Sequence, residues 1–145
     1  MPERGGWPLR LAVTIDTPRW SVVKRRDDGS IDFITPIPCP FNYGSVPGTL
    51  SGDGDREDAL LLGPRVPRGQ SVSAPVWARI DFLDAGASDP KWLTGPRPPT
   101  AAELSEVRAF FTVYARAKRL LYGLRRQGGE TAFRGLSLHP RAAAE

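Results

Sequence analysis

Residues 41–62 read FNYGSVPGTLSGDGDREDALLL, which places Asp53, Asp55 and Asp58 directly ahead of an apolar run. Carboxylates that close together repel one another, by about 4 kcal/mol per pair at ~4 Å and an effective dielectric near 20. Solvent, arginines or a divalent cation must offset that repulsion. An EF-hand calcium loop counted from Asp53 needs glycine at its sixth position and a bidentate glutamate at its twelfth. Those positions hold Asp58 and Pro64, so that reading fails. An aspartyl nucleophile is compatible with D-x-D, but the chain lacks the expected parallel βαβ context. D-x-D alone leaves that reading open beside two others: a set of oxygen ligands for magnesium, which keeps waters and phosphate in its shell, or a solvated turn with its acids facing outward.

Farther along, Asp84-Ala-Gly-Ala-Ser-Asp89-Pro-Lys91 is a second acidic stretch. It ends a segment in which Val72, Ala74, Val76, Ala78, Ile80 and Phe82 alternate with other residues, the period of a strand. A hairpin-linked pair of strands would bring the two acidic loops to one end of a sheet. Several oxygen ligands, several cations and one polyanion would then share a site. Lys91 would be the point charge facing a phosphate, although taken alone it reads as an ordinary surface lysine.

The remaining elements follow from pattern. Leu9, Leu11, Val13 and Ile15 alternate as a half-buried strand. Residues 20–24 and 31–34 read as short strands joined by Asp27-Asp28-Gly29, which has hairpin chemistry. Pro36 to Pro40 reads as an extended loop, Ala59 to Leu62 as a short strand, and Ala85 to Thr100 as a further loop. Thr100-Ala-Ala-Glu103 is a capping box. Leu104, Val107, Phe111, Tyr114, Lys118 and Leu121 then follow at helical spacing up to Gln127-Gly128-Gly129. A last strand is expected over Thr131 to Leu136, ahead of a weakly determined tail from about 137 to 145.

With 145 residues and 40% hydrophobic content, the chain suits a single domain, 1–145, with a modest core. Fifteen glycines and fifteen prolines favour short strands and turns over a helical bundle. The fold class is α+β, mostly β: either a small barrel with a helical cover or an open sheet with a packed helix. Cys39 is the only cysteine, so no intrachain disulfide forms and a reducing compartment fits. No apolar run approaches the ~20 residues of a membrane span, and a cytoplasmic protein without membrane partners is the expectation. The formal charge of +4 is uneven, acidic between Asp53 and Asp89 and basic after Arg108, an arrangement suited to binding a metal and an anion together.

The stretch FNYGSVPGTLSGDGDREDALLL resembles the core of the soluble, family I inorganic pyrophosphatases. DAGASDPK is similar to that family's second acidic loop, and FFTVY to a motif on its main helix. The order and spacing of all three agree over roughly residues 9 to 136, as in a short, diverged member. The resemblance implies an OB-like five-stranded β-barrel with a packed main α-helix, Mg2+ as cofactor, pyrophosphate as substrate and a homo-oligomer. Carried over by position, it implies that Asp53, Asp58, Asp84 and Asp89 are metal ligands. Asp55 is implied as the catalytic base that takes a proton from water. Tyr43, Lys91 and Tyr114 are implied as contacts to phosphate or its water network.

Several family positions are substituted. Thr14, Ser21, Val23 and Thr35 stand where the pattern carries a glutamate, a lysine, a glutamate and an arginine, and Ala115 replaces a lysine. Three charged hydrogen bonds lost without replacement would cost roughly 4.5–9 kcal/mol, on the order of 10³ to 10⁶ in kcat/KM. Arg19, Lys24 and Arg25 are near enough in sequence to compensate. Lys118, one turn past Tyr114, is another substitute, although a lysine snorkelling from the apolar stripe is the commoner outcome.

Mg-dependent hydrolysis of pyrophosphate to two phosphates is the leading function. The alternative is a diverged relative that keeps the metal site but has weak or different phosphohydrolase or binding activity. A basic OB-like nucleic-acid binder, with Trp7, Trp20, Trp77 and Trp92 as stacking platforms, conflicts with an ordered set of acids beside a phosphate backbone. Nucleic acid is therefore not an expected partner. His139, Cys39 and Glu57 carry no expected role, and Glu57 is expected to face solvent.

Overall fold

The structure, a computed structural model, describes residues 6–26, 28–34, 38–49, 56–125 and 128–140, with the side chains of 32–34 and 125 outside the description. In chain order the elements are β1 (Arg10–Thr17), β2 (Val23–Arg25), β3 (Ile31–Ile34), β4 (Asn42–Val46) and β5 (Glu57–Leu61). Then come β6 (Ser71–Asp84), β7 (Ala87–Ser88), β8 (Lys91–Thr94), α1 (Ala101–Arg125) and β9 (Ala132–Leu138). The main sheet runs β1-β4-β5-β8-β6, and β1 also pairs with β6, which closes five strands into a ring. The expected closed five-stranded architecture with one main helix is therefore present. β9 adds to β6, and β2 with β3 forms a separate hairpin.

Alternate residues of the same strands feed two apolar clusters, as the strand period of two requires. Leu60, Ala78, Ile80, Phe82 and Leu93 meet Val107, Phe110, Phe111, Tyr114 and Ala115 of α1. Ala59, Leu61, Val76 and Trp92 join Val13, Ile15 and Val46 in the other cluster. Strands buried on both faces lose their polar alternation and read as continuous apolar runs, which accounts for the unbroken Ala59–Leu62. Phe111 is fully buried and packs against the rings of Phe41, Phe82 and Phe133. Truncating it to alanine would cost about 3–5 kcal/mol.

Most expected elements occur within a few residues of their positions, but three expectations need correction and one strand, β4, was not expected. The segment 85–100 is not a loop throughout, because it contains β7 and β8. β8 is too short and too uniformly buried to show a period. β4 is likewise buried along its whole length, and its asparagine and glycine are poor strand formers. The strand expected at 20–24 starts only at Val23, since Trp20 has a φ of 75°, outside the β region. The last strand reaches Leu138, into the expected tail, and His139 beyond it is buried with its Nε2 3.1 Å from Pro8 O.

Two contacts tie the FNYG stretch into place. Asn42 is fully buried. Its Oδ1 accepts the backbone N–H groups of Arg19 and Val66, while its Nδ2 donates to the carbonyls of Leu61 and Pro64. Gly44 lies opposite Ile15 in the β1–β4 pair, where a Cβ would come within 2.1 Å of the Thr14 carbonyl oxygen. Only glycine permits that approach.

The candidate phosphate and metal site

The candidate polar side chains continue rows of core side chains. Tyr43 follows Phe41, Asp58 precedes Leu60, Asp84 follows Phe82 and Lys91 precedes Leu93, each two residues apart in sequence. They therefore emerge on the face of the sheet that meets α1. The two acidic stretches are not linked by a hairpin. β8 is inserted between β5 and β6 and runs parallel to β5, which sets Lys91 directly opposite Asp58.

Lys91 is 1% exposed. Its Nζ donates to Asp58 Oδ2 at 2.9 Å and to Asp89 Oδ2 at 2.8 Å. Tyr43 Oη donates to the same Asp58 oxygen at 2.9 Å. Burial alone would lower the Lys91 pKa, but the charges of Asp58 and Asp89 outweigh it and hold the ammonium above its ordinary value. Burial would also raise Asp58, yet Lys91, Lys24 and the hydrogen bonds from Lys91 and Tyr43 bring it below the usual carboxylate range. Tyr43 is pushed well up, first by burial and then by Asp58, so its hydroxyl stays a donor. Tyr114 is close enough to act electrostatically on both Tyr43 and Lys91.

Asp84, at the end of β6, has other neighbours. Its Oδ2 accepts Lys118 Nζ at 2.9 Å and its Oδ1 accepts the Tyr122 hydroxyl at 2.6 Å. The strand end carrying it is fixed by a tight crossing of chains. Ala85 N donates to Thr131 Oγ1, Gly86 N donates to Glu130 O, and a Cβ on Gly129 would fall 2.2 Å from Ala85 O. The structure thus joins Tyr43, Asp58, Asp89 and Lys91, sets Tyr114 beside them, and places Asp84 against Lys118 and Tyr122. Asp53 and Asp55 lie outside the described residues, as does Thr35.

Of Arg19, Lys24 and Arg25, one enters the site. Lys24 is 9% exposed and its Nζ lies 4.5 Å from the centroid of the Tyr43 ring. Arg19 instead donates to the carbonyls of Pro40 and Gly63, and Arg25 to that of Gly29, so both hold loops. Lys118 does not snorkel to solvent, since it is buried on Asp84. Ser21 bonds Val23, Thr14 bonds Ser71, and Ala115 is buried in the core. Glu57 corrects an expectation: it is half-buried, and its Oε1 accepts Trp92 Nε1 at 2.9 Å. Burial raises the Cys39 thiol to about 12, which keeps it inert.

Three of the four tryptophans are engaged within the fold, and Trp20 is 51% exposed beneath Arg19. Trp92 bonds Glu57, Trp77 bonds Gly95 O, and Trp7 packs on Trp92 and His139. Asn42, Tyr122 and Lys24 are the contributors that sequence reasoning missed or left open. Tyr122 had a legible signal, being two helical turns past Tyr114. Among the described residues no helix is long and apolar enough to cross a membrane.

Among the described residues no group of three or more acids, histidines or cysteines is arranged to hold a metal. The donor chemistry nevertheless fits a hard dication. Asp58 and Asp89 offer only oxygen, Asp58 keeps 22% of its side chain exposed, and its Oδ1 takes no hydrogen bond among the described residues.

Comparison with known proteins agrees with this arrangement. The family model described as inorganic pyrophosphatase matches residues 13–120. An inorganic pyrophosphatase of Gluconobacter oxydans is 32% identical over 110 residues, covering 70% of this chain and 64% of that protein. One of Saccharolobus solfataricus is 32% identical over 108 residues, covering 69% of this chain and 63% of its own length. The chain therefore spans a little under two thirds of these two relatives. In fold it is similar to the crystal structure of inorganic pyrophosphatase from Thermus thermophilus, with a TM-score of 0.72 at 21% identity over 99% of this chain and 91% of that one. The Neisseria gonorrhoeae enzyme gives 0.69 at 24% identity, over 93% and 86%. With the motif-bearing core matched in sequence and the five-stranded ring with its helix matched in space, the chain belongs to the inorganic pyrophosphatase family.

Proposed function

We propose that this site hydrolyses inorganic pyrophosphate to two phosphates with magnesium. The observation that carries the reading is Lys91 buried between Asp58 and Asp89, with Tyr43 and Lys24 beside it, in a chain of this family. Asp58 and Asp89, with Asp53 just upstream in the chain, would hold the dications. When bound, magnesium supplies positive charge opposite the phosphate oxygens and a more acidic water.

The chain's own residues do the rest. Tyr43 orients Asp58 by donating to it. Lys91 fixes Asp58 and Asp89 at one spacing, which preorganises them. Lys24 and Lys91 provide buried positive charge for a polyanion, and Lys24 makes up part of what the substituted family positions lack. Tyr114 contacts the phosphate or its waters. Asp55 accepts a proton as water adds to one phosphorus and the bridging P–O bond breaks, releasing two phosphates. In this reading the chain acts as one catalytic domain, and self-association follows from the family resemblance.

The test is phosphate release from pyrophosphate with magnesium, run on the wild type and on Asp55→Asn. The variant is expected to lose most turnover while keeping its metal binding. Unchanged turnover would remove Asp55 from the mechanism.

A further inference from the structure

Asp84 and the Asp58–Asp89 pair use their lysines differently. Asp58 and Asp89 share one ammonium, and one Asp58 oxygen accepts no hydrogen bond among the described residues. At Asp84 both oxygens are engaged, one by Lys118 and one by Tyr122. Lys118 is 4% exposed. Its Nζ also lies 5.2 Å from the ring centroid of Tyr114 and 5.4 Å from that of Tyr122.

One carboxylate and two aromatic faces make a cage suited to a cation. The cage follows from helical spacing, because Tyr114, Lys118 and Tyr122 stand four residues apart on one face of α1. The Tyr122 phenol is raised to about 12, chiefly by burial, so it remains a donor to Asp84. A dication binding at Asp84 would have to break this buried ion pair and displace the Tyr122 hydroxyl as well, an unfavourable exchange.

We propose that Lys118 is a built-in cation at Asp84, held in place of a dication, so that this carboxylate binds no metal in the wild-type protein. The proposal rests on the reading of the site as a metal site, and it removes Asp84 from the ligands that the family resemblance implies. The charge at this end of the site is then fixed to the helix and independent of the concentration of free divalent ion.

The test counts Mn2+ ions bound per chain by calorimetry on the metal-stripped, full-length protein without substrate. Wild type and Asp84→Asn should bind the same number. Lys118→Met should bind one more, and Lys118→Met combined with Asp84→Asn should return to the wild-type number. Loss of an ion in Asp84→Asn overturns the proposal, as does an unchanged count in Lys118→Met that keeps its native circular dichroism. Should Lys118→Met fail to fold, the Asp84→Asn comparison decides, an equal count upholding the proposal. A wild type that binds no Mn2+ contradicts the metal reading of Asp58 and Asp89 instead. An ion gained from none by Lys118→Met would still uphold the role of Lys118.

Discussion

The Tyr43 hydroxyl lies 2.9 Å from Asp58 Oδ2, joining neighbouring strands β4 and β5 at the point where the acidic stretch enters the sheet. The bond runs from a buried neutral donor to a charged acceptor, the stronger kind. Tyr43→Phe should destabilise the metal-free protein by about 1.5–3 kcal/mol. Urea denaturation in the presence of a chelator measures it. A change within experimental error would mean that the hydroxyl does not support Asp58.

Lys91→Met should be more severe. It leaves Asp58 and Asp89 facing each other without their shared ammonium. Breaking a buried pair in this way costs about 3–5 kcal/mol. Added magnesium should recover part of the loss if those two carboxylates bind it. Denaturation curves with and without magnesium separate the two effects, and no recovery would argue against a dication there.

Gly44→Ala should prevent stable folding or destabilise strongly, because the new Cβ meets backbone at Thr14 rather than a movable side chain. Gly123→Ala is the control. It lies in α1, where an added Cβ would meet nothing within 4 Å, so alanine should stabilise by about 0.8–1 kcal/mol through helix propensity. Equal effects of the two changes would contradict the close β1–β4 approach.

The start of α1 gives a pH prediction. Thr100 and Glu103 exchange hydrogen bonds between side chain and backbone, and Arg97 pairs with the same carboxylate. Burial opposes ionisation of Glu103, but the Thr100 N–H and Arg97 outweigh it and bring its pKa below 4.5. A group depressed on folding stabilises above its unfolded pKa and loses that contribution as pH falls through its folded value. Glu103→Gln should therefore flatten the fall in stability below about pH 4.5. Thr100→Ala should cost about 1 kcal/mol at neutral pH. Thermal melts across pH 3–7 check both.

The sequence was most legible where one period dominates. The alternation from Val72 to Phe82 and the stripe from Leu104 to Leu121 lie in β6 and α1. Lys91-Trp92-Leu93-Thr94 was not legible as a strand, because a four-residue segment buried throughout shows no period. That omission also hid how Lys91 meets Asp58, since the parallel β5–β8 pairing is a long-range contact with no local signal. Asn42 stood within a recognisable motif, but its role is to satisfy four backbone groups, one at Arg19 and three between Leu61 and Val66, which only the assembled fold reveals. Lys24 is similar, since it reaches Tyr43 through the separate β2–β3 hairpin. The two motif acids Asp53 and Asp55 lie outside the described residues, and their roles rest on sequence resemblance.

The most direct measurement is the rate of phosphate release from pyrophosphate by the full-length wild-type chain as magnesium is titrated, beside Asp58→Asn. The predicted result is sustained turnover that a chelator abolishes and that Asp58→Asn reduces by orders of magnitude. Release no faster than in buffer, from folded protein in saturating magnesium, would contradict the assignment of this site to pyrophosphate hydrolysis.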